Sequence, residues 1–95
     1  MKSFEEQILE IMMNFNFDRV HRVMQFLEWK WATSFDPPML KIPSLDEIKD
    51  RAVKYLRAAA MSPESEYYGG TGGLIVEKKE GCLFLSFVLA DWDGA

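Results

Sequence analysis

Residues 74–89, LIVEKKEGCLFLSFVL, predict an antiparallel β-hairpin around which the rest of the chain can pack. Two largely apolar runs, residues 74–79 and 82–89, are separated only by Glu80 and Gly81. Glycine readily adopts the positive φ that a tight two-residue turn needs. We therefore expect the chain to reverse direction at this point and to pair the two runs as strands.

The short turn also predicts which residues face each other. It places Lys79 opposite Cys82, and the remaining pairs follow in step along both strands. Side chains alternate between the two faces of a strand. One face is therefore expected to be fully apolar, with Leu74, Val76, Leu83, Leu85, Phe87 and Leu89. The other face is mixed, with Ile75, Glu77, Phe84, Ser86 and Val88.

Three segments before the hairpin have the periodicity of amphipathic helices. Residues 3–13 and residues 44–61 each open with a capping box, a Ser followed three positions later by Glu. Residues 18–31 carry apolar side chains at spacings of three and four. The connection TSFDPPMLKIP at 33–43 is expected to be tight and stiff, because proline cannot continue a helix. Residues 62–73 are expected to form a loop.

These elements predict an α+β fold in which two to three helices pack on a C-terminal antiparallel β-hairpin. The chain is expected to form a single domain over residues 1–95. A lone hairpin is marginally stable and leaves its edges unpaired. We therefore expect a homodimer to complete the sheet, either by edge pairing or through the mixed face.

The composition argues against several classes of function. The formal net charge of −4 argues against general binding of nucleic acid or of anionic membranes. A single cysteine, Cys82, and a single histidine, His21, cannot form a zinc site. The N-terminal sequence lacks the pattern of a signal peptide, and no apolar run is long enough for a membrane span. We expect a soluble cytoplasmic protein that needs no cofactor.

No residue pattern predicts catalysis. His21 has no carboxylate or nucleophile placed beside it by the sequence, and Cys82 opens a strand rather than a helix, so both are interpreted as structural. Arg51, Lys54 and Arg57 form a basic strip on one helix. Nucleic-acid binding through that strip is the weaker interpretation, because the chain as a whole is acidic. The chain is therefore predicted not to be an enzyme.

Two aromatic surfaces are candidates for partner contact. Trp29 falls off the apolar stripe of its helix, on the side of Arg22 and Phe26, and exposed Trp and Arg often dominate binding. The alternative is that the N-terminal helix or the proline-rich connection covers Trp29. On the mixed sheet face, Phe84 and Val88 are more apolar than a water-facing strand requires.

The glycine-rich stretch YYGGTGGL at 67–74 raises the possibility of a ligand loop. It has no lysine after the glycines, and a strand rather than a helix follows, so it does not match a phosphate-binding loop. A simple helix-to-strand connection is the favoured interpretation. The alternative is that backbone N–H groups and aromatic side chains hold a small ligand or nucleotide, with Tyr67, Tyr68, Gly70, Thr71 and Gly72 as its candidate residues.

Several segments together resemble a group of short, uncharacterised proteins of phages and prophages. They are NFDRVHRVMQFLEWKWA (16–32), IPSLDEIKDRAVKYLRAAA (42–60), TGGLIVE (71–77) and LFLSFVLADW (83–92). The resemblance covers about residues 14–93, and it implies a core over that range with an N-terminal helical extension at 1–13. It also implies a protein of phage or prophage origin in a bacterial cytoplasm. It implies no activity, so it assigns no role to any residue. Our leading hypothesis is a small non-enzymatic interaction or accessory protein that contacts itself and an unknown protein. A small-ligand or nucleotide-binding module is the alternative.

Overall fold

The fold is α+β, as predicted. The computed structural model describes the backbone of residues 2–32, 43–69 and 73–88, and the side chains of residues 2–26, 43–68 and 73–88. Three helices precede a three-stranded antiparallel sheet. The elements are α1 (Phe4–Asn14), α2 (Phe17–Ala32), α3 (Leu45–Ala60), β1 (Tyr67–Gly69), β2 (Leu74–Lys79) and β3 (Cys82–Phe87).

Each helix begins at a side chain that accepts a hydrogen bond from an otherwise unpaired backbone N–H. The Ser3 hydroxyl accepts from Glu6 N at 3.1 Å, and the Ser44 hydroxyl accepts from Glu47 N at 3.2 Å. The predicted capping boxes are therefore present. For α2, the side chain of Asn16 accepts from Arg19 N at 3.1 Å.

The predicted hairpin is present with the predicted register. Lys79 pairs with Cys82, and the pairing continues to Leu74 opposite Phe87. Glu80 and Gly81 have φ values of 51° and 77°. Two consecutive positive φ values are typical of the type I′ turn, whose twist matches that of the flanking strands. The turn sequence therefore sets the register of the whole β2–β3 pair.

The prediction that residues 62–73 form a loop was wrong in part, because β1 lies within that segment. Tyr67 pairs with Glu77, Tyr68 with Val76 and Gly69 with Ile75. The sheet therefore has three strands in the order β1-β2-β3, and β2 is paired on both sides. Tyrosine favours strands, but a run of three residues ending in glycine gave too short a pattern to predict one.

The core lies between α3 and the sheet. Ile48, Ala52, Leu56 and Ala59 form the buried side of α3, and each is at most 1 % exposed. Phe17, Val20 and Met24 from α2 pack in one cluster with the α3 residues Ile48 and Ala52 and with Leu74 of β2. Ile8 from α1 belongs to a second cluster with Leu56, Ala59, Val76 and Leu83. All three helices thus cover the same face of the sheet.

That face is not fully apolar, which corrects the prediction. Lys78 follows Leu74 and Val76 in the alternation and is only 7 % exposed. Its Nζ donates to the carbonyl oxygens of Ala60 at 3.2 Å and Ser62 at 2.8 Å. These acceptors lie at the C-terminal end of α3, where carbonyls lack intrahelical partners and a positive charge is favourable. Lys78 therefore caps α3 from the sheet.

Some predictions fall on residues outside the described parts of the chain. These are the stiff connection at 33–43 apart from its last residue, the strand residue Leu89, and the side chain of Trp29. None of the described helices is long and apolar enough to cross a membrane.

Candidate protein-interaction site

β3 is an outer strand whose free edge has a definite set of backbone groups. Because the turn is two residues long, Lys79 and Cys82 form a hydrogen-bonded pair, and alternate residues of β3 then bond to β2. The bond from Val88 N to Gly73 O, 2.9 Å long, fits this alternation. The N–H and C=O groups of Leu83, Leu85 and Phe87 therefore point away from β2.

The beginning of this edge is closed by a side chain of α1. Gln7 Nε2 donates to Gly81 O at 3.0 Å, and Gln7 Oε1 accepts from Leu83 N at 2.9 Å. One amide group thus bonds the backbone on both sides of Cys82, as the N–H and C=O of one residue in an added parallel strand would. This contact satisfies two polar groups that lie beside the core.

The rest of the edge has no hydrogen-bond partner among the described residues. Among the backbone and side-chain groups that the structure describes, none forms a hydrogen bond with the outward N–H and C=O groups of Leu85 and Phe87. We call these groups of Leu85 and Phe87 the open edge. A row of unpaired donors and acceptors on an outer strand is a template for another strand.

A groove of about 650 Å³ runs beside the open edge. We call it the edge groove, and it lies between the first half of α2 and the second half of β3. Its lining is mostly apolar and includes one charged side chain, that of Arg19. The lining residues are Phe15, Asn16, Arg19, Val20, Val23, Leu85, Ser86, Phe87 and Val88. An extended segment placed here would meet unpaired backbone groups and apolar side chains together.

A second groove, of about 400 Å³, follows the closed part of the edge between α1 and the start of β3. Lys2 and Glu10 line it and form a salt bridge. The hydrogen bond with Glu10, together with its negative charge, raises the pKa of Lys2. Cys82 also lines this groove and is exposed. Because the two opposite charges neutralise each other, this groove presents little net charge to a ligand.

The face of the sheet away from the helices exposes apolar side chains next to the open edge. Phe84 is 53 % exposed and Val88 is 52 % exposed, with the exposed Ser86 between them. Tyr67, which is 59 % exposed, lies in the same row as Phe84, with Glu77 between them on β2. Phe84 and Val88 were predicted as contact residues, and Val88 also lines the edge groove.

The predicted contact residues on α2 lie elsewhere. Arg22 is exposed and Phe26 is 47 % exposed, and neither lines the edge groove. The structure thus divides the predicted set into an α2 surface and a β3 surface. Phe26 has a further contact within the chain. The β3 surface is therefore the better defined of the two.

The two aromatic residues of the candidate ligand loop, Tyr67 and Tyr68, lie in strand β1. Tyr67 and Tyr68 are neighbours in β1, so their side chains point to opposite faces. Tyr68 packs against the second core cluster, whereas Tyr67 is exposed. The two rings therefore cannot stack on one ligand. Gly70, Thr71 and Gly72 lie outside the described residues.

The remaining candidate groups do not converge. The described residues contain no group of three or more His, Cys, Asp or Glu side chains that could hold a metal ion. His21 is half-buried on α2. In the basic strip of α3, Lys54 and Arg57 are exposed and Arg51 is half-buried.

Two features of the site were not predicted from the sequence. The outward direction of the backbone N–H and C=O groups of Leu85 and Phe87 could have been inferred, because it follows from the two-residue turn that sets the register. The contact of Gln7 could not, because a glutamine on the half-buried side of a helix gives no signal for a bond to a strand near the other end of the chain.

Comparisons with protein-family models, with curated proteins and with solved structures find no significant match to this chain. The resemblance to phage and prophage proteins stays a prediction.

Proposed function

We propose that this chain is a small non-enzymatic interaction protein that binds another protein by strand addition at the open edge of β3. The observation that carries this proposal is that the outward groups of Leu85 and Phe87 lack partners among the described residues and lie beside a mostly apolar groove. In strand addition, main-chain hydrogen bonds supply affinity, and pockets for alternate side chains supply specificity.

The composition of β3 supports the proposal. Natural proteins commonly protect an outer strand with lysine, proline, a bulge or a covering segment. From Cys82 to Val88, the sequence CLFLSFV has no charged residue and no proline. The chain protects one part of this edge with Gln7, while the neighbouring part has no described cover. The contact of Gln7 reaches only as far as Leu83, so it leaves Leu85 and Phe87 available to pair with a binding partner.

Exposed apolar side chains add to the same surface. Phe84 and Val88 each leave about half of their area in water. Burial of apolar area contributes about 25 cal/mol per Å², so covering both side chains would favour association. Phe84 is also an aromatic residue, a type that is enriched in the buried centre of protein–protein interfaces.

The cellular context of the proposal comes from the sequence resemblance alone. We propose that the protein acts in a bacterial cytoplasm as an accessory protein of phage or prophage origin. Its partners would be a second copy of itself, a host protein or a phage protein.

A matched pair of charge substitutions tests the proposed function. Phe84→Lys places a charge on the β3 surface, whereas Met61→Lys places one at an 88 % exposed apolar residue after α3. Purified protein would be analysed by sedimentation, and tagged protein would be cross-linked in a bacterial lysate. We expect the wild-type chain to form a complex with itself or with a lysate protein. The Met61→Lys variant should still form this complex, and the Phe84→Lys variant should not. A wild-type chain that forms neither complex, or complexes indifferent to Phe84→Lys, would overturn the proposal.

A further inference from the structure

We propose that the occupant of the open edge is β3 of a second copy, paired antiparallel about a two-fold axis that passes by Ser86. This inference rests on the proposed strand addition and names its partner and register. The pairing would join two three-stranded sheets edge to edge into one continuous sheet. All helices would then cover the same side of that sheet.

The available backbone groups select the register. In a symmetric antiparallel pair, residues on either side of the axis exchange hydrogen bonds. A two-fold axis at Leu85 or at Phe84 would require the N–H of Leu83, which Gln7 already holds. An axis at Ser86 uses only Leu85 and Phe87. Each then donates one bond to the partner subunit and accepts one from it.

The same register places the exposed side chains in favourable pairs. Phe84 comes to lie directly opposite Val88 of the partner subunit, and the reverse pair forms on the other side of the axis. Aromatic and β-branched residues are favourable cross-strand neighbours. Ser86 meets its own counterpart at the axis, where a non-hydrogen-bonded pair brings side chains close together. A small polar residue is suitable there because it causes no crowding.

Charge also favours a second copy as the occupant. The strand from Cys82 to Val88 carries no charge, so two copies meet without repulsion along the shared edge. Among the described residues that line the edge groove, Arg19 alone is charged. These described residues offer a strongly charged peptide no row of opposite charges. The net charge of −4 on each chain gives a weak repulsion that salt screens.

The area available predicts a reversible dimer. A half-exposed phenylalanine offers roughly 100 Å², so Phe84 and Val88 from both copies supply only a few hundred Å². Stable complexes bury about 1,200–2,000 Å² in total. The backbone groups and the edge groove must therefore contribute as well. We expect dimer formation to depend on protein concentration in the micromolar range rather than to be permanent.

Disulfide trapping tests this register directly. All variants carry Cys82→Ser to remove the exposed native thiol. With the axis at Ser86, the two copies of residue 86 lie about 4.5 Å apart between Cα atoms, within disulfide range. The two copies of residue 84 lie four positions apart along the strands, about 13 Å, which is out of reach. Under mild oxidation, we expect Ser86→Cys to cross-link at least about tenfold faster than Phe84→Cys.

A mixed sample gives an independent positive result. Phe84→Cys and Val88→Cys chains, mixed and oxidised, should form a disulfide-linked pair more readily than either chain alone. Similar slow rates for Ser86→Cys and Phe84→Cys would indicate random collision and would overturn the inference. If the Cys82→Ser protein still sediments as a dimer, or keeps a lysate complex that Phe84→Lys abolishes, the proposed function stands although the register is wrong. If none of these complexes forms, both proposals fail.

Discussion

Gln7 in α1 accepts a 2.9 Å hydrogen bond from the backbone N–H of Leu83, 76 residues further along the chain. The same amide donates to Gly81 O. One side chain of α1 therefore contacts the beginning of β3 and satisfies part of the sheet edge. The closed and open parts of β3 differ because this contact reaches Leu83 and stops there.

Replacing Gln7 should destabilise the fold. In Gln7→Ala, the N–H of Leu83 and the C=O of Gly81 lose their partners in a half-buried setting, so we expect a loss of about 1–2 kcal/mol. The free energy of unfolding would be measured by urea titration monitored by circular dichroism. Gln25→Ala on the exposed side of α2 is the control and should change stability by less than about 0.5 kcal/mol. Equal effects of the two substitutions would show that the Gln7 contact is unimportant.

Removing the charge of Lys78 should also destabilise the fold. Lys78→Met keeps the apolar stem but leaves the carbonyls of Ala60 and Ser62 without their donor, with an expected loss of about 1.5–3 kcal/mol. It also removes a cation 4.7 Å from the centre of the Phe4 ring.

The control for Lys78→Met is the same substitution one position later. The Lys79 side chain is 69 % exposed and forms only a 3.9 Å ion pair with Glu77. We expect Lys79→Met to change stability by less than about 0.5 kcal/mol in the same thermal or urea titration. A Lys79→Met effect as large as that of Lys78→Met would contradict the capping role.

The turn between β2 and β3 gives a prediction with opposite signs at adjacent residues. Gly81→Ala should destabilise by about 1 kcal/mol, because alanine is disfavoured at a φ of 77°. Glu80→Asn should raise the melting temperature, because asparagine is favoured over glutamate at a φ of 51° in a type I′ turn. Thermal unfolding of both variants measures this. A stabilising Gly81→Ala would mean that the turn has a different conformation.

Much of the fold was predictable because it depends on local pattern. The capping boxes at Ser3 and Ser44 located two helix starts, and the Glu80-Gly81 turn fixed the register of β2 and β3. β1 was missed because three residues are too few to show an alternating pattern. Its formation depends on the neighbouring strand β2, which is a tertiary effect.

The candidate site was only partly predictable. Alternation alone identified Phe84 and Val88 as exposed apolar residues. Alternation also places Lys78 on the inner face, and the prediction of a fully apolar face left this residue out. The structure explains that position through the free carbonyls at the end of α3, which no sequence pattern indicates. Gln7 and Arg19 joined the site through packing of the helices against β3.

Amide hydrogen exchange of Leu85 and Phe87, measured by NMR at increasing protein concentration, reports directly on whether the open edge pairs between two copies. In dilute solution these two amides should exchange rapidly, while those of Phe84 and Ser86, which bond to β2, should exchange slowly. Raising the concentration should slow exchange at Leu85 and Phe87 and leave Phe84 and Ser86 unchanged. Leu85 and Phe87 amides that exchange at the same rate at every concentration, whether fast or slow, would contradict pairing of the open edge between two copies.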